Sequence, residues 1–319
     1  MTGPAAGSPD GFRSIPAADA DLLPVDAPDG ARLALYRLKS ESNGPALLWG
    51  HATGMAAGSY LPWLRMLATR LRVYAFDARG HGGSDGGPGS VTLDALATDL
   101  LSVARTVCCD AAADAPFYAA HSIAGVAALH LGTALGQAPW RGLILFEPPV
   151  MLGKEHPGYA SAFTDTQARA ERTARRRAAW PSQAAFHDLL RSRGVFARFC
   201  PDMLKAHVQA TLRPHGAGGF RLACDPAVES AFFRSVPPSG LWERLPRFPL
   251  PARFVGGDPA LADPGAEQAR WVTTAAADIA ARVPGSRFGI VPGCDHMMVC
   301  ERPDLCRDLV FAMVDAAAT

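Results

Sequence analysis

Residues 116–125 read PFYAAHSIAG. An apolar run ends in His121 and Ser122, and Ile123 then opens an alanine-rich, helix-prone stretch. This predicts a strand that turns sharply into a helix with Ser122 at the corner. A serine held there takes a strained backbone conformation, tolerated only where the residues two before and two after are small. Those residues are Ala120 and Ala124, where glycines are commoner, and Gly125 follows one place later. A serine at a helix start also serves as an N-cap, and small-x-Ser-x-small recurs by chance. The rest of the chain has to decide between the two readings.

Working outward, short β-type runs at 32–38, 46–49, 72–77, 116–121, 142–147, 253–257 and 287–291 alternate with helix-like stretches. The latter lie at 59–70, 92–109, 123–136, 264–282 and 303–317. This alternation predicts the α/β class, a mostly parallel sheet flanked by helices on both faces. It stops at Glu147-Pro148-Pro149 and resumes near Pro249. The organisation expected is a core of 26–147 and 250–319 carrying a helical cap at 148–249, its helices at 161–180, 182–193, 201–212 and 226–236. Residues 1–25, rich in Pro, Gly, Ala and Asp, are expected to form a flexible arm. In such sheets ligands bind beyond the carboxyl ends of the strands, which points to the loops there.

A serine hydroxyl needs an adjacent base, itself oriented by a carboxylate. After a late apolar strand, FVGGD at 254–258 supplies Asp258. Beyond the next strand, VPGCDHMMVCERP at 291–303 supplies His296 in a loop before the last helix. Taken singly, His296 is an ordinary loop histidine and Asp258 a turn former before Pro259. Taken with Ser122 they stand in the chain order serine, acid, histidine. Asp258 is the first choice of acid, Glu147 at the end of the 142–147 run the alternative, and Asp263 the third. Glu147 with its two prolines also reads as a hinge or a polar group on a pocket floor.

Four motifs in order, HATGM at 51–55, DARGHGGSD at 77–85, the Ser122 corner and the His296 loop, resemble the α/β-hydrolase superfamily over nearly the whole chain from about Leu33. With LFEPP at 145–149, they resemble bacterial hydrolases and fungal hydrolases of toxin pathways. The resemblance implies a nucleophile elbow at Ser122 and an oxyanion hole from the backbone N–H groups of Ile123 and Thr53, with Gly54 as fallback. It also implies that the 77–85 loop braces the sheet end near the oxyanion loop. Asp77, Arg79, His81 and Asp85 are read as ion-pairing and turn residues rather than a metal site, since arginine is a poor neighbour for a cation. His51 is expected to shape its loop. Strand alternation turns His121 away from the side on which Ser122 faces.

The implied activity is cofactor-free, metal-free hydrolysis of a small to medium ester, thioester or related carbonyl compound through an acyl-enzyme. Serine at the corner argues against haloalkane dehalogenase and epoxide hydrolase chemistry, whose relatives use aspartate there. Lactone opening and carbon–carbon bond hydrolysis remain alternatives on the same residues. A non-catalytic binding protein on the same fold is the rival from a different class.

The chain has 319 residues with 31 Lys+Arg against 30 Asp+Glu, a formal charge of +1, which disfavours nucleic acid and anionic membrane as partners. That balance conceals a split: residues 148–250 carry +7 and the remainder −6. Five arginines, Arg169, Arg172, Arg175, Arg176 and Arg177, fall on one predicted helix. They read as a solvated face, or as steering for an anionic substrate. Seven cysteines without a C-x-x-C pair, and no secretory or membrane-spanning run, fit a reducing, cytoplasmic location. A small-molecule substrate and a possible homodimer complete the expectation.

Overall fold

The computed structural model describes residues 11–111, 115–216, 218–261 and 271–317. The first part of the chain forms β1 (Ala20–Asp26), β2 (Arg32–Leu38), β3 (Ala46–Gly50), α1 (Leu61–Leu67), β4 (Arg72–Phe76), α2 (Leu93–Ala111), β5 (Phe117–His121), α3 (Ile123–Leu135) and β6 (Gly142–Phe146). An inserted segment follows, with α4 (Tyr159–Ala174), β7 (Ala179–Trp180), α5 (Gln183–Leu190), α6 (Pro201–Thr211), β8 (Leu212–His215), β9 (Gly219–Leu222), α7 (Pro226–Ser235) and α8 (Leu241–Arg244). The chain then closes with β10 (Arg253–Gly256), α9 (Trp271–Ala281), β11 (Arg287–Ile290), α10 (Met298–Glu301) and α11 (Pro303–Ala316).

Among the described residues eight strands form one sheet in the order β1-β2-β4-β3-β5-β6-β10-β11. The first two pairings are antiparallel and the others parallel. The central strands β3 and β5 are buried at every position, as expected of strands covered on both faces. Helix α2 buries Leu93, Leu96, Ala97, Leu100, Val103, Ala104 and Val107, a three-and-four spacing that lays one stripe on the sheet. Helix α3 is buried from Ile123 through Gly132, so its apolar all-round sequence matches a position between sheet and neighbouring helices.

Two sequence expectations are corrected. The stretch expected to be a flexible arm contains β1, paired with β2 from Ala20↔Leu38 to Asp26↔Arg32. Just before it Ile15 is fully buried and the Ser14 hydroxyl donates to Asp77. Asp21, Pro24 and Asp26 mask the strand in sequence, yet an outermost strand tolerates proline because one row of its backbone groups needs no partner. Residues 1–10 of the expected arm lie outside the described residues. The insertion, expected to be helical throughout, also contains a three-stranded sheet, β7-β9-β8. Its strands have two to four residues, too short for a period-two pattern to register. The helix expected to run to Trp180 accordingly ends at Ala174. Asp263 and the start of the helix expected at 264–282 fall outside the described residues.

Candidate active site

Ser122 sits between β5 and α3 with φ 57° and ψ −122°, a strained conformation for a residue with a side chain. It is held by its own N–H, which donates to Phe146 O at 2.9 Å, and by its carbonyl, which accepts from Gly125 N at 2.9 Å. The small flanks have a visible counterpart in β3. A Cβ added to Gly50 would lie 2.6 Å from Ala124 Cβ and 2.4 Å from Tyr118 Oη. The room that a glycine at 124 would leave is thus made at position 50 instead. Ser122 is 7% exposed and its side chain caps nothing, so the N-cap reading does not hold.

His296 is oriented by a carboxylate, and that carboxylate is Glu147. His296 Nδ1 lies 2.8 Å from Glu147 Oε2. The same carboxylate accepts from the Thr273 hydroxyl at 3.1 Å and from the Gly257 N–H. Glu147 is 1% exposed and has φ 41°, a second strained residue at a strand end. With Nδ1 donating to the carboxylate, the neutral ring keeps its lone pair on Nε2, the nitrogen a serine hydroxyl would need. Asp258, the first-choice acid from sequence, is not on the imidazole. Its carboxylate instead accepts from Gly293 N at 2.9 Å and Ala260 N at 2.9 Å, and these two backbone donors lower its pKa. The reason for the correction is reach. The Asp258 N–H is tied to Cys294 O at 2.7 Å, which commits that residue to shaping the 257–261 turn, while Glu147 sits one strand nearer the serine.

The loop after β3 is braced by two histidines whose tautomers follow from their partners. His51 Nε2 accepts from Ala78 N at 2.9 Å, so its Nδ1–H donates to Ala52 O at 2.8 Å. His81 Nε2 accepts from Gly54 N at 3.0 Å, and its Nδ1–H donates to Arg79 O at 3.1 Å. Burial holds both rings neutral, lowering the His81 pKa to about 3. The Gly54 N–H is therefore engaged and drops out as fallback donor. Among the described residues the N–H groups of Thr53 and Ile123 have no hydrogen-bond acceptor. The bracing expected of the 77–85 loop is present. Arg79 makes a bidentate pair with Asp99 at 2.6 Å and 2.6 Å and a further contact with Asp29 at 2.9 Å. Among the described residues no group of three or more His, Cys, Asp or Glu could hold a metal ion.

Sequence reasoning missed Tyr60 and Thr273, and it gave His121 no task. The His121 ring lies 4.9 Å from the His296 ring, centre to centre, and is hydrogen-bonded at both nitrogens. The Tyr60 hydroxyl lies 2.7 Å from His121 Nδ1, and His121 Nε2 lies 2.9 Å from His296 O. A neutral His121, held so by burial, donates from Nε2 and accepts from Tyr60. The bond ties the residue before Ser122 to the backbone of His296. Tyr60→Phe is expected to lower kcat about three- to tenfold with KM held, the loss of one buried hydrogen bond that orients the His296 loop. A fall confined to KM, or to melting temperature with kcat intact, would overturn that role.

Thr53 and His296, with Gly54, Met55, Asp295 and Met297 beside them, line a cavity of about 1010 Å³ whose remaining walls come from the inserted segment. Trp180, Phe186, Leu189 and Phe196 make it apolar, and Arg169, Arg176, Arg177, Arg193 and Glu229 bring charge to it. Glu229 is buried beside the loop after β3, close enough that a Cβ on Gly54 would lie 2.6 Å from its Oε1. Burial raises its pKa, and Arg176, at 2.8 Å, opposes that shift.

The described helices include none long and apolar enough to cross a membrane. No curated protein matches the sequence. Among solved structures the chain is similar to an E-2-(acetamidomethylene)succinate hydrolase, with TM-score 0.73 and 18% identity over 93% of this chain and 99% of that one. It is also similar to the thioesterase domain from the curacin biosynthetic pathway, with TM-score 0.69 and 17% identity over 92% and 99%. The enol-lactonase from Burkholderia xenovorans LB400 gives TM-score 0.63 and 17% identity over 92% and 100%. The model described as the alpha/beta hydrolase family matches residues 43–309, which takes in the elbow, Glu147 and the His296 loop: the chain belongs to the alpha/beta hydrolase family and is a hydrolase.

Proposed function

We propose that the protein is a serine hydrolase of carboxylic esters or thioesters, working through an acyl-enzyme with Ser122 as nucleophile, His296 as base and Glu147 as the orienting acid. The observation that carries the reading is the His296 Nδ1 to Glu147 Oε2 contact of 2.8 Å beside a serine held at positive φ. The serine attacks the carbonyl carbon while His296 Nε2 takes its proton. The resulting imidazolium is stabilised by the buried carboxylate and returns the proton to the leaving oxygen or sulfur. Water activated by the same nitrogen then releases the acid. The free N–H groups of Ile123 and Thr53 are the donors for the oxyanion, the first at a helix start where amides lack intrahelical partners. The segment between β6 and β10 acts as a cap that supplies the substrate walls. Solved structures of this fold named as a thioesterase domain and an enol-lactonase are consistent with carbonyl substrates of this kind.

A fluorophosphonate probe tests the mechanism directly. The expected result is a single adduct whose mass maps to the peptide containing Ser122, formed at a rate that parallels loss of p-nitrophenyl ester turnover. Folded protein that stays unlabelled would favour a binding protein on a hydrolase fold instead.

A further inference from the structure

We infer that the cavity beside His296 and Thr53 is built for a substrate that carries a carboxylate at the end remote from the scissile carbonyl, with Arg169 as the residue that receives it. The inference rests on the serine hydrolase reading and adds the substrate class to it.

The basic residues of the insertion do not share one fate. Arg169 on α4 and Arg176 and Arg177 beyond its end all line the cavity, while Arg175 is exposed and does not. Arg176 is committed to Glu229, at 3.0 Å from Oε1 and 2.8 Å from Oε2. Arg177 donates to Ala179 O at 2.7 Å, stacks on Trp180 at 4.3 Å and stands exposed. Arg169 differs from both. It is partly buried, its guanidinium lies 5.5 Å from the centre of the Phe233 ring, and it makes no hydrogen bond or ion pair among the described residues. A guanidinium stays protonated at any physiological pH, so the cavity wall holds a cation with no anion of its own.

A second observation points the same way. Arg176 Nε is buried and has no acceptor, although the rest of that guanidinium is engaged. A buried donor without a partner is costly, and an oxygen entering the cavity would relieve it. The lining carries four arginines, Arg169, Arg176, Arg177 and Arg193, against the two acids Glu229 and Asp295. This excess of two positive charges suits an anion. A carboxylate fits better than a phosphate dianion, because Glu229 and Asp295 stand close enough to Arg169 to act on its charge and would repel a second negative charge. A planar two-oxygen group also matches the guanidinium fork. The apolar walls of Trp180, Phe186, Leu189 and Phe196 then cover the carbon chain between carboxylate and ester.

The test compares p-nitrophenyl hemiesters of glutarate, adipate and suberate with neutral p-nitrophenyl esters of equal chain length. Wild-type protein is expected to prefer at least one hemiester by about tenfold or more in kcat/KM, the worth of one charge-assisted bond. In Arg169→Gln the hemiester-to-neutral ratio should fall by a similar factor, carried by KM, with partial return in Arg169→Lys. Arg175→Gln, on the exposed side, should keep the wild-type ratio. A ratio at or below one for every chain length in wild-type protein overturns the inference, as does an Arg169→Gln ratio equal to wild type. If neutral esters are turned over and Ser122 is labelled while the ratio stays flat, only the carboxylate site fails. If nothing is turned over and Ser122 stays unlabelled, the serine hydrolase reading fails with it.

Discussion

On the proposed mechanism Glu147→Gln is expected to lower kcat about ten-thousand-fold in a protein that stays folded, because the acid that fixes the imidazole becomes an amide. The Glu147 carboxylate accepts from His296, Thr273 and Gly257. An amide has one accepting oxygen, and that oxygen cannot serve all three donors. If the amide oxygen stays with Gly257, its NH2 faces His296 Nδ1, and the ring must move its proton to Nε2 to accept from it. The nitrogen that should take the serine proton is then already protonated. Even with Nδ1–H retained, no negative charge remains to stabilise the imidazolium. Asp258→Asn, by contrast, is expected to stay within about threefold, because that half-buried side chain bonds only the backbone N–H groups of Gly293 and Ala260. Steady-state kinetics of the two variants, with circular dichroism as the folding control, decide the matter. A collapse in Asp258→Asn with Glu147→Gln near wild type would return the acid to the end of β10.

Asp77→Ala is expected to cost about 3–5 kcal/mol of stability, enough to lower the melting temperature by about 10 °C. Asp77 is fully buried at the end of β4 and accepts four hydrogen bonds. These come from Ser14 Oγ at 2.8 Å, Tyr36 Oη at 3.0 Å, Ala57 N at 2.8 Å and Gly83 N at 2.9 Å. The donors belong to the chain before β1, strand β2, the turn before α1 and the glycine-rich loop, so one carboxylate joins four segments. Truncation strands two backbone N–H groups and two hydroxyls away from water. The tight fit also explains Gly82: it has φ 50°, and a Cβ there would lie 2.1 Å from Asp77 Oδ2. Thermal and urea unfolding of Asp77→Ala and Asp77→Asn check the claim. The asparagine variant should lose less, since it keeps one accepting oxygen. A loss below about 1 kcal/mol in the alanine variant would mean that water replaces the carboxylate at little cost.

The parts of the site that could be read in advance are those with a local signature. The corner at Ser122 announces itself through an apolar run, two alanines and a helix-prone continuation within ten residues. His296 announces itself by position, in a loop between the last strand and the last helix. The acid has no such signature. Glu147 and Asp258 both follow apolar strands and both stand between Ser122 and His296 in the chain, so chain order does not separate them. Thr273 and Gly257 identify the acid only by donating to Glu147 from distant parts of the chain. Tyr60 likewise reads as one more aromatic near α1 until its hydroxyl is seen on His121.

Local periodicity and residue size thus determined the α/β class, seven of the eight main-sheet strands, the elbow and the split between a basic insertion and an acidic core. These depend on residues within one or two turns of each other. The tertiary structure alone decided which carboxylate faces His296, that β1 closes the sheet edge, and that Arg176 among the clustered arginines pairs with Glu229 while Arg169 faces the cavity unpaired among the described residues. Those outcomes depend on groups up to 149 positions apart, as between Glu147 and His296, brought together by strand order and burial rather than by spacing along the chain.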